Sequence, residues 1–350
     1  MDSSKPKVVI TGVSGFLGSW TLKKFVECDK YQVRGTVRDP TNAKKMKPLE
    51  DALGDRFKEV EFVAADLTNP DSLHSAIEGC KYVIHTASPF PPGNAKNDDE
   101  VISPAVEGTK AVCVGCHKHK VERLVITSSC AAIYDYNNVK DVVSEKDWVD
   151  MSEITPAYPR SKALAEKAAW DYVEGLKPEE RFEIVTINPT LIFGPILVKS
   201  PFATQTLCTQ VMLGKLPGNP INYIGFVDVR TVAEAHLLAL TNSPPNERYI
   251  LAEDTYKFSK LGITLNKEFR QYGYKPVTKD MGYCTAKMAA CCNVGQMKIV
   301  VLQWDKNIRV DNTKSKETLG VKYINMDETI VEMGYSLIEK GYVPDKRKKD

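Results

Sequence analysis

The 350-residue sequence predicts an α/β fold in which a doubly wound parallel sheet is accompanied by a smaller C-terminal domain. Three observations predict it. Short apolar runs alternate with helical patterns through the first half, a glycine-rich turn joins the first strand to the first helix, and prolines interrupt the second half. Such alternation is typical of βαβ units and therefore of a parallel sheet. The length favours two domains.

Each predicted strand is a short apolar run, and each predicted helix is a segment with helical spacing. The first six strands are predicted at 8–10, 32–37, 60–64, 82–85, 124–127 and 183–187. The helices among them are predicted at 16–26, 41–54, 70–78, 98–119 and 157–175. A strand and a helix follow within 226–241, a short strand at 248–251, and helices near 257–271 and 326–340.

Composition narrows the range of partners. With 47 basic and 45 acidic residues the net charge is +2, which predicts neither nucleic acid nor membrane as a partner. The nine cysteines are scattered, and no signal peptide or membrane-spanning run is evident, so we expect a cytoplasmic protein. Cys113, Cys116 and His117 spell a haem-attachment pattern, but it lies inside a predicted helix, and we predict no metal.

The glycine-rich turn predicts a dinucleotide site. Gly12, Gly15 and Gly18 follow the first strand at a spacing of three, with Phe16 and Leu17 opening the helix. The first glycine permits the tight turn, the second lets the backbone approach a pyrophosphate, and the third lets helix and strand pack closely. The pattern indicates a Rossmann-type fold. A purely structural turn is the alternative, and no Gly-Lys-Ser/Thr is present for a P-loop.

The end of the second strand selects the dinucleotide. Arg38 follows that strand and suits the 2′-phosphate of NADP, and Lys45 adds positive charge, so we predict NADPH (NADP+). NADH remains the alternative if the carboxylate of Asp39 points inward. Asp66 and Leu67, after the third strand, are expected along the adenine, with a helix cap at Asp66 as the alternative.

We predict that residues 1–190 form the NADP-binding domain and that 225–245 return to it. Residues 191–224 and 246–350 are predicted to form the substrate-binding domain. The active site is then expected in the cleft between the two domains.

A hydroxyl, a phenol and an ammonium form the candidate catalytic group. Tyr158 and Lys162 are four residues apart at the start of a predicted helix, and so share one face. A nearby ammonium lowers the pKa of a tyrosine, which makes it a better acid–base group. Ser128 and Ser129 end the fifth strand, at the sheet edge where α/β proteins bind ligands.

Together these motifs resemble the extended short-chain dehydrogenase/reductases. Within them, the chain is similar to the group of dihydroflavonol reductases, cinnamoyl-CoA reductases and NADPH-dependent aldehyde (methylglyoxal) reductases. The resemblance is carried by the following segments: 10–12, 15–20, 37–42, 65–67, 85–89, 127–129, 158–162, 188–191 and 226–230.

The resemblance implies roles for individual residues. Ser129 would polarise the carbonyl, Tyr158 would donate the proton, and Lys162 would hold the nicotinamide ribose, with NADPH delivering the hydride. Further cofactor contacts are implied for Thr86, Ala87 and Pro189, and substrate contacts for Ser88 and Tyr134. Phe90, in the loop after the fourth strand, and Phe193, in the second domain, are candidate walls of the substrate pocket, with a place in the apolar core as the alternative for such aromatic residues. Residues 130–134 depart from the glycine-containing segment of the flavonoid enzymes, and the signature of the CoA-thioester reductases is not evident.

The expected function is that of an NADPH-dependent carbonyl reductase converting an aldehyde or ketone to an alcohol, in a monomer or homodimer. One alternative is a nucleotide-sugar epimerase or dehydratase, or a hydroxysteroid dehydrogenase, of the same extended family. Another is a dinucleotide-sensing protein without turnover. His85 is expected to be structural or to face the cofactor, and His236 to face the core.

Overall fold

The strands of the protein are divided between one large sheet and two small ones. The structure, a computed structural model, describes residues 4–88, 97–135, 138–292 and 297–347. The strands in these residues are β1 Lys7–Thr11, β2 Gln32–Val37, β3 Val60–Ala64, β4 Tyr82–His85, β5 Arg123–Thr127, β6 Val142–Val143, β7 Glu183–Pro189, β8 Leu191–Phe193, β9 Tyr223–Asp228, β10 Glu247–Leu251, β11 Asp254–Lys257 and β12 Arg309–Val310. The large sheet has the order β3-β2-β1-β4-β5-β7-β10, with every neighbouring pair parallel.

Helices cover both faces of the large sheet. The helices in the described residues are α1 Phe16–Cys28, α2 Ala43–Leu53, α3 Pro70–Ile77, α4 Asp99–Lys118, α5 Ala157–Glu174, α6 Ala203–Met212, α7 Val229–Thr241, α8 Lys260–Phe269, α9 Tyr283–Cys291, α10 Met297–Leu302 and α11 Met326–Glu339. Val8 and Ile10 of β1 pack in one apolar cluster with α1, α2 and α7, whereas Val9 packs with α3, α4 and α5 on the other face. This alternation follows from the twofold period of a strand, and it confirms the predicted doubly wound sheet.

A smaller unit is built mainly from the second half of the chain. Its sheet has the order β11-β9-β8, in which β8 is parallel and β11 antiparallel to β9. Helices α6, α8 and α11 supply most of its apolar core, together with Phe193 and Phe226 from the sheet. The ring of Phe16, at the start of α1, stacks on Phe202 with 3.9 Å between centroids, which joins this unit to the large sheet.

The structure corrects the predicted boundary at 246. Strand β10 pairs with β7 and forms an edge of the large sheet, so residues 247–251 belong with the first domain. The segment 225–245 is divided, because β9 lies in the small sheet while α7 packs on α1. A run as short as β10 carries no signal for which sheet it joins, since that choice depends on a distant partner strand.

No helix in the described ranges has the length and apolar character needed to cross a bilayer.

Candidate active site

The glycine turn leaves no room for side chains. Gly12 has a φ of +73°, and a Cβ there would lie 3.0 Å from the Cα of Ala87. A Cβ on Gly18 would lie 2.2 Å from the carbonyl oxygen of Gly12, so the start of α1 sits directly against the turn. The N–H groups in the first turn of a helix lack intrahelical acceptors, so the amides of Phe16 and Leu17 are available to a pyrophosphate. The backbone therefore fits the dinucleotide that the turn predicts.

Hydroxyl groups brace this turn. Thr36 accepts a hydrogen bond from the N–H of Gly12 through its Oγ1 at 3.1 Å, and Thr86 donates to the carbonyl of Thr11 at 2.6 Å. The Oγ1 of Thr11 lies 2.9 Å from Nδ1 of His85. Burial lowers the pKa of His85 to about 4, so its ring is neutral at pH 7 and serves as a structural partner.

The charged residues that follow β2 are exposed, and hydrogen bonds hold one of them within its own loop. Arg38 is exposed, and its charge contributes to lowering the pKa of Asp66 on the neighbouring strand end. The Oδ1 of Asp39 accepts from the N–H of Thr41 at 3.0 Å and from its hydroxyl at 2.6 Å, so this carboxylate is turned onto its own loop. The hydrogen bonds from Thr41 lower the pKa of Asp39, and the nearby positive charge of Lys45 lowers it further.

Asp66 closes a turn of its own. Its Oδ1 accepts from both the N–H and the hydroxyl of Thr68, at 2.9 and 2.6 Å. These bonds are the main reason that its pKa is lowered. The cap of helix α3 is Asn69, which corrects the alternative of a helix cap at Asp66. Leu67 lies against Gly108 of α4.

The three candidate catalytic residues converge at the carboxyl edge of the large sheet. Ser129 follows β5, and its side chain lies close enough to that of Tyr158, at the start of α5, to influence the pKa of the phenol. The Nζ of Lys162 lies 5.9 Å from the centre of the Tyr158 ring and donates to the hydroxyl of Ser88 at 2.8 Å. The fold thus brings a phenol, a hydroxyl and an ammonium group together, and these are the functional groups needed to protonate a carbonyl oxygen.

Burial is the main influence on the titration of this group. It raises the pKa of Tyr158, and the neighbouring Ser129 side chain acts in the opposite direction. The lowering expected from the ammonium therefore does not dominate in the free protein. Burial also lowers the pKa of Lys162 to about 8.

The family of the chain follows from its similarity to known proteins. Residues 9–262 match the sequence model of the 3-beta hydroxysteroid dehydrogenase/isomerase family. The chain belongs to this family. The match confirms the predicted resemblance to the extended short-chain dehydrogenase/reductases.

Curated relatives of this family member carry reductase names. Tetraketide alpha-pyrone reductase 1 of Arabidopsis thaliana is 31% identical over 356 residues, covering 98% of each chain. Dihydroflavonol 4-reductase of the same plant is 33% identical over 280 residues, covering 78% of this chain and 72% of the relative. Among solved structures, yeast methylglyoxal/isovaleraldehyde reductase Gre2 complexed with NADPH is 27% identical with a TM-score of 0.78, covering 96% of this chain and 100% of the yeast protein.

The residues predicted to touch substrate differ in their exposure in this member of the family. Ser88 is exposed beside Lys162, and Phe90 lies outside the described residues. Phe193 is fully buried against Phe226 in the small unit. Tyr134 is only 5% exposed and packs in the apolar cluster of the 130–151 segment. Both aromatic rings are therefore buried among apolar side chains, and their contact with substrate stays a prediction.

The other predicted residues are also accounted for. Pro189 is buried at the end of β7, opposite Leu251 of β10. His236 faces the core as expected, with its Nε2 2.7 Å from the hydroxyl of Thr127. The thiols of Cys113 and Cys116 are buried in the packing of α4.

A charged group behind the catalytic residues was missed by the sequence reasoning. Glu166, four residues after Lys162 on α5, is 1% exposed and paired with Arg248 of β10. Its spacing from Tyr158 and Lys162, at i+8 and i+4, is the signal that could have revealed it. Glu166, Lys162 and Ser128 also line a cavity of about 30 Å³, which is large enough for a water molecule.

Proposed function

We propose that the protein is an NADPH-dependent carbonyl reductase, which converts an aldehyde or ketone to an alcohol. The observation that carries the proposal is the convergence of Ser129, Tyr158 and Lys162 beside the glycine turn. The reductase names of the relatives support it, and so does the complex of the yeast relative with NADPH.

The preference for NADPH is supported by the charges at the end of β2. Arg38 is exposed where the 2′-phosphate would lie, and Asp39 is engaged by Thr41. A carboxylate that selected NADH would have to point at the ribose 2′-hydroxyl instead.

Tyr158 is the proposed proton donor. Because burial raises its pKa, the phenol is protonated at neutral pH and can give its proton to a carbonyl oxygen. The hydroxyl of Ser129 lies beside that phenol and would polarise the same oxygen. The positive charge of Lys162 stabilises the phenolate left behind. The hydride that completes the alcohol at carbon is the chemistry that NADPH supplies when bound.

The test is NADPH oxidation by the purified protein, followed by absorbance, with small aldehydes, α-dicarbonyls, aromatic enals and cyclic ketones. NADH is run in parallel and is expected to be the poorer donor. Tyr158→Phe is expected to lower kcat by about 10²–10⁴-fold while it still binds NADPH. Absence of turnover with every carbonyl, despite NADPH binding, would support the epimerase or sensor instead. A normal kcat in folded Tyr158→Phe would refute the assignment of the proton donor.

A further inference from the structure

Glu166 is a buried carboxylate whose two oxygens face different parts of the molecule. Oε1 accepts from Arg248 at 2.6 Å, from Thr186 at 3.1 Å and from Trp170 at 3.4 Å. Oε2 accepts from the hydroxyl of Ser128 and from Nδ2 of Asn188 at 2.8 Å. Burying a carboxylate is costly unless it is paired and hydrogen-bonded, and these five donors meet that need.

Both donors to Oε2 are linked to Ser129, one as its neighbour in the chain and the other through a hydrogen bond. Ser128 is its neighbour in the chain, and Nδ2 of Asn188 also donates to the carbonyl oxygen of Ser129 at 3.3 Å. The donors to Oε1 come from β7, β10 and the next turn of α5. The Oε2 side of the carboxylate thus holds the backbone on both sides of Ser129, and the Oε1 side ties α5 to the sheet.

We propose that Glu166 is a positioning residue, which acts through Ser128 and Asn188 to keep the Ser129 hydroxyl beside the phenol of Tyr158. Tyr158 and Glu166 lie on one face of α5, so a single rigid helix fixes both the phenol and the anchor of its serine partner. The role assigned to the serine rests on the proposed reductase function, whereas the contact itself does not.

The decisive variant is Ser128→Ala, which removes one donor to Oε2 and leaves the ion pair with Arg248 intact. Its matched control is Trp170→Phe, which removes one donor to Oε1. We expect Ser128→Ala to lower kcat about tenfold, since small misplacements of catalytic groups have effects of this order or larger, with KM for both substrates nearly unchanged. Trp170→Phe is expected to keep the wild-type kcat.

A double-mutant cycle separates positioning from a general loss of structure. In a Ser129→Ala background, Ser128→Ala is expected to cause no further loss of kcat, because the residue on which it acts is gone. Additive losses in the cycle would overturn the proposal. Asn188→Ala removes the second donor to Oε2 and is measured in the same way, and it decides the matter if Ser128→Ala does not fold.

A readout that needs no turnover is the titration of Tyr158, followed by NMR of ¹³C-labelled tyrosine and assigned with Tyr158→Phe. The neighbouring Ser129 hydroxyl acts to lower the pKa of Tyr158, so its displacement in Ser128→Ala should raise that pKa, and Trp170→Phe should not. An unchanged titration in Ser128→Ala would refute the positioning role. If wild type reduces no carbonyl, the proposed function fails, but this titration still decides the positioning role.

Discussion

Replacing Gly18 by alanine should disable dinucleotide binding while the protein stays folded. The new Cβ would lie 2.2 Å from the carbonyl oxygen of Gly12 and 3.0 Å from the hydroxyl of Thr86. Ordinary contact begins near 3.4 Å, so the turn must move by about 1 Å relative to α1. Overpacking of this kind costs about 1–3 kcal/mol, and the better helix propensity of alanine offsets about 1 kcal/mol of it.

The turn that must move is the one whose amides would hold the pyrophosphate of the proposed cofactor. We therefore expect Gly18→Ala to raise the Kd for NADPH by about 100-fold, by analogy with the effect of a 1 Å misplacement on catalysis. The net stability loss of about 0–2 kcal/mol should lower Tm by only a few degrees. NADPH fluorescence titration and thermal unfolding measure the two effects. A variant with wild-type affinity would show that the turn is not the rigid cradle inferred from its geometry.

Three further predictions concern charged side chains. Arg38→Ala should weaken NADPH binding by about 10–100-fold, the value of a charge-assisted hydrogen bond, and leave NADH binding unchanged in parallel titrations. Lys162→Met should abolish turnover yet raise Tm at pH 7, because burial disfavours the charged lysine. The pKa of Lys162 is lowered from 10.5 to about 8, so the stability of the wild type rises as the pH increases from about 8 to 10.5. The difference in Tm between Lys162→Met and the wild type should shrink over this pH range and vanish above it. Arg248→Met should cost about 3–5 kcal/mol in urea unfolding by stranding the Glu166 carboxylate. The side chain of Glu61, the partner of Arg34, is 34% exposed, so Arg34→Met should lower the free energy of unfolding by less.

Local patterning accounts for most of the fold. Strands β2, β3 and β4 occupy the predicted residues, because each is a short apolar run bounded by polar segments. Helix α5 begins at the predicted residue and carries Tyr158 and Lys162 on one face. Within the site, the glycine turn and the serine pair were also predictable, since both lie at strand ends that the pattern locates.

What local patterning could not supply depends on distant parts of the chain. The place of β10 in the large sheet follows from its pairing with β7, more than 50 residues earlier. Tyr134 and Phe193 are aromatic residues near the site, and only their packing partners reveal that they are core. Glu166 looks like an ordinary helical surface residue until Arg248 and the serine pair are brought around it.

The pairing of Glu166 with Arg248 joins two residues that leave the ribosome at different times during protein synthesis. Domains emerge from the ribosome N-terminus first, so the glycine turn, the serine pair and helix α5 leave it well before β10 does. Until Arg248 has left the ribosome, Glu166 lacks its cationic partner, and its carboxylate can be buried only at a large free-energy cost. A nascent chain that ends before residue 248 thus contains all three proposed catalytic side chains, yet it lacks the counter-charge needed to close the interior behind them.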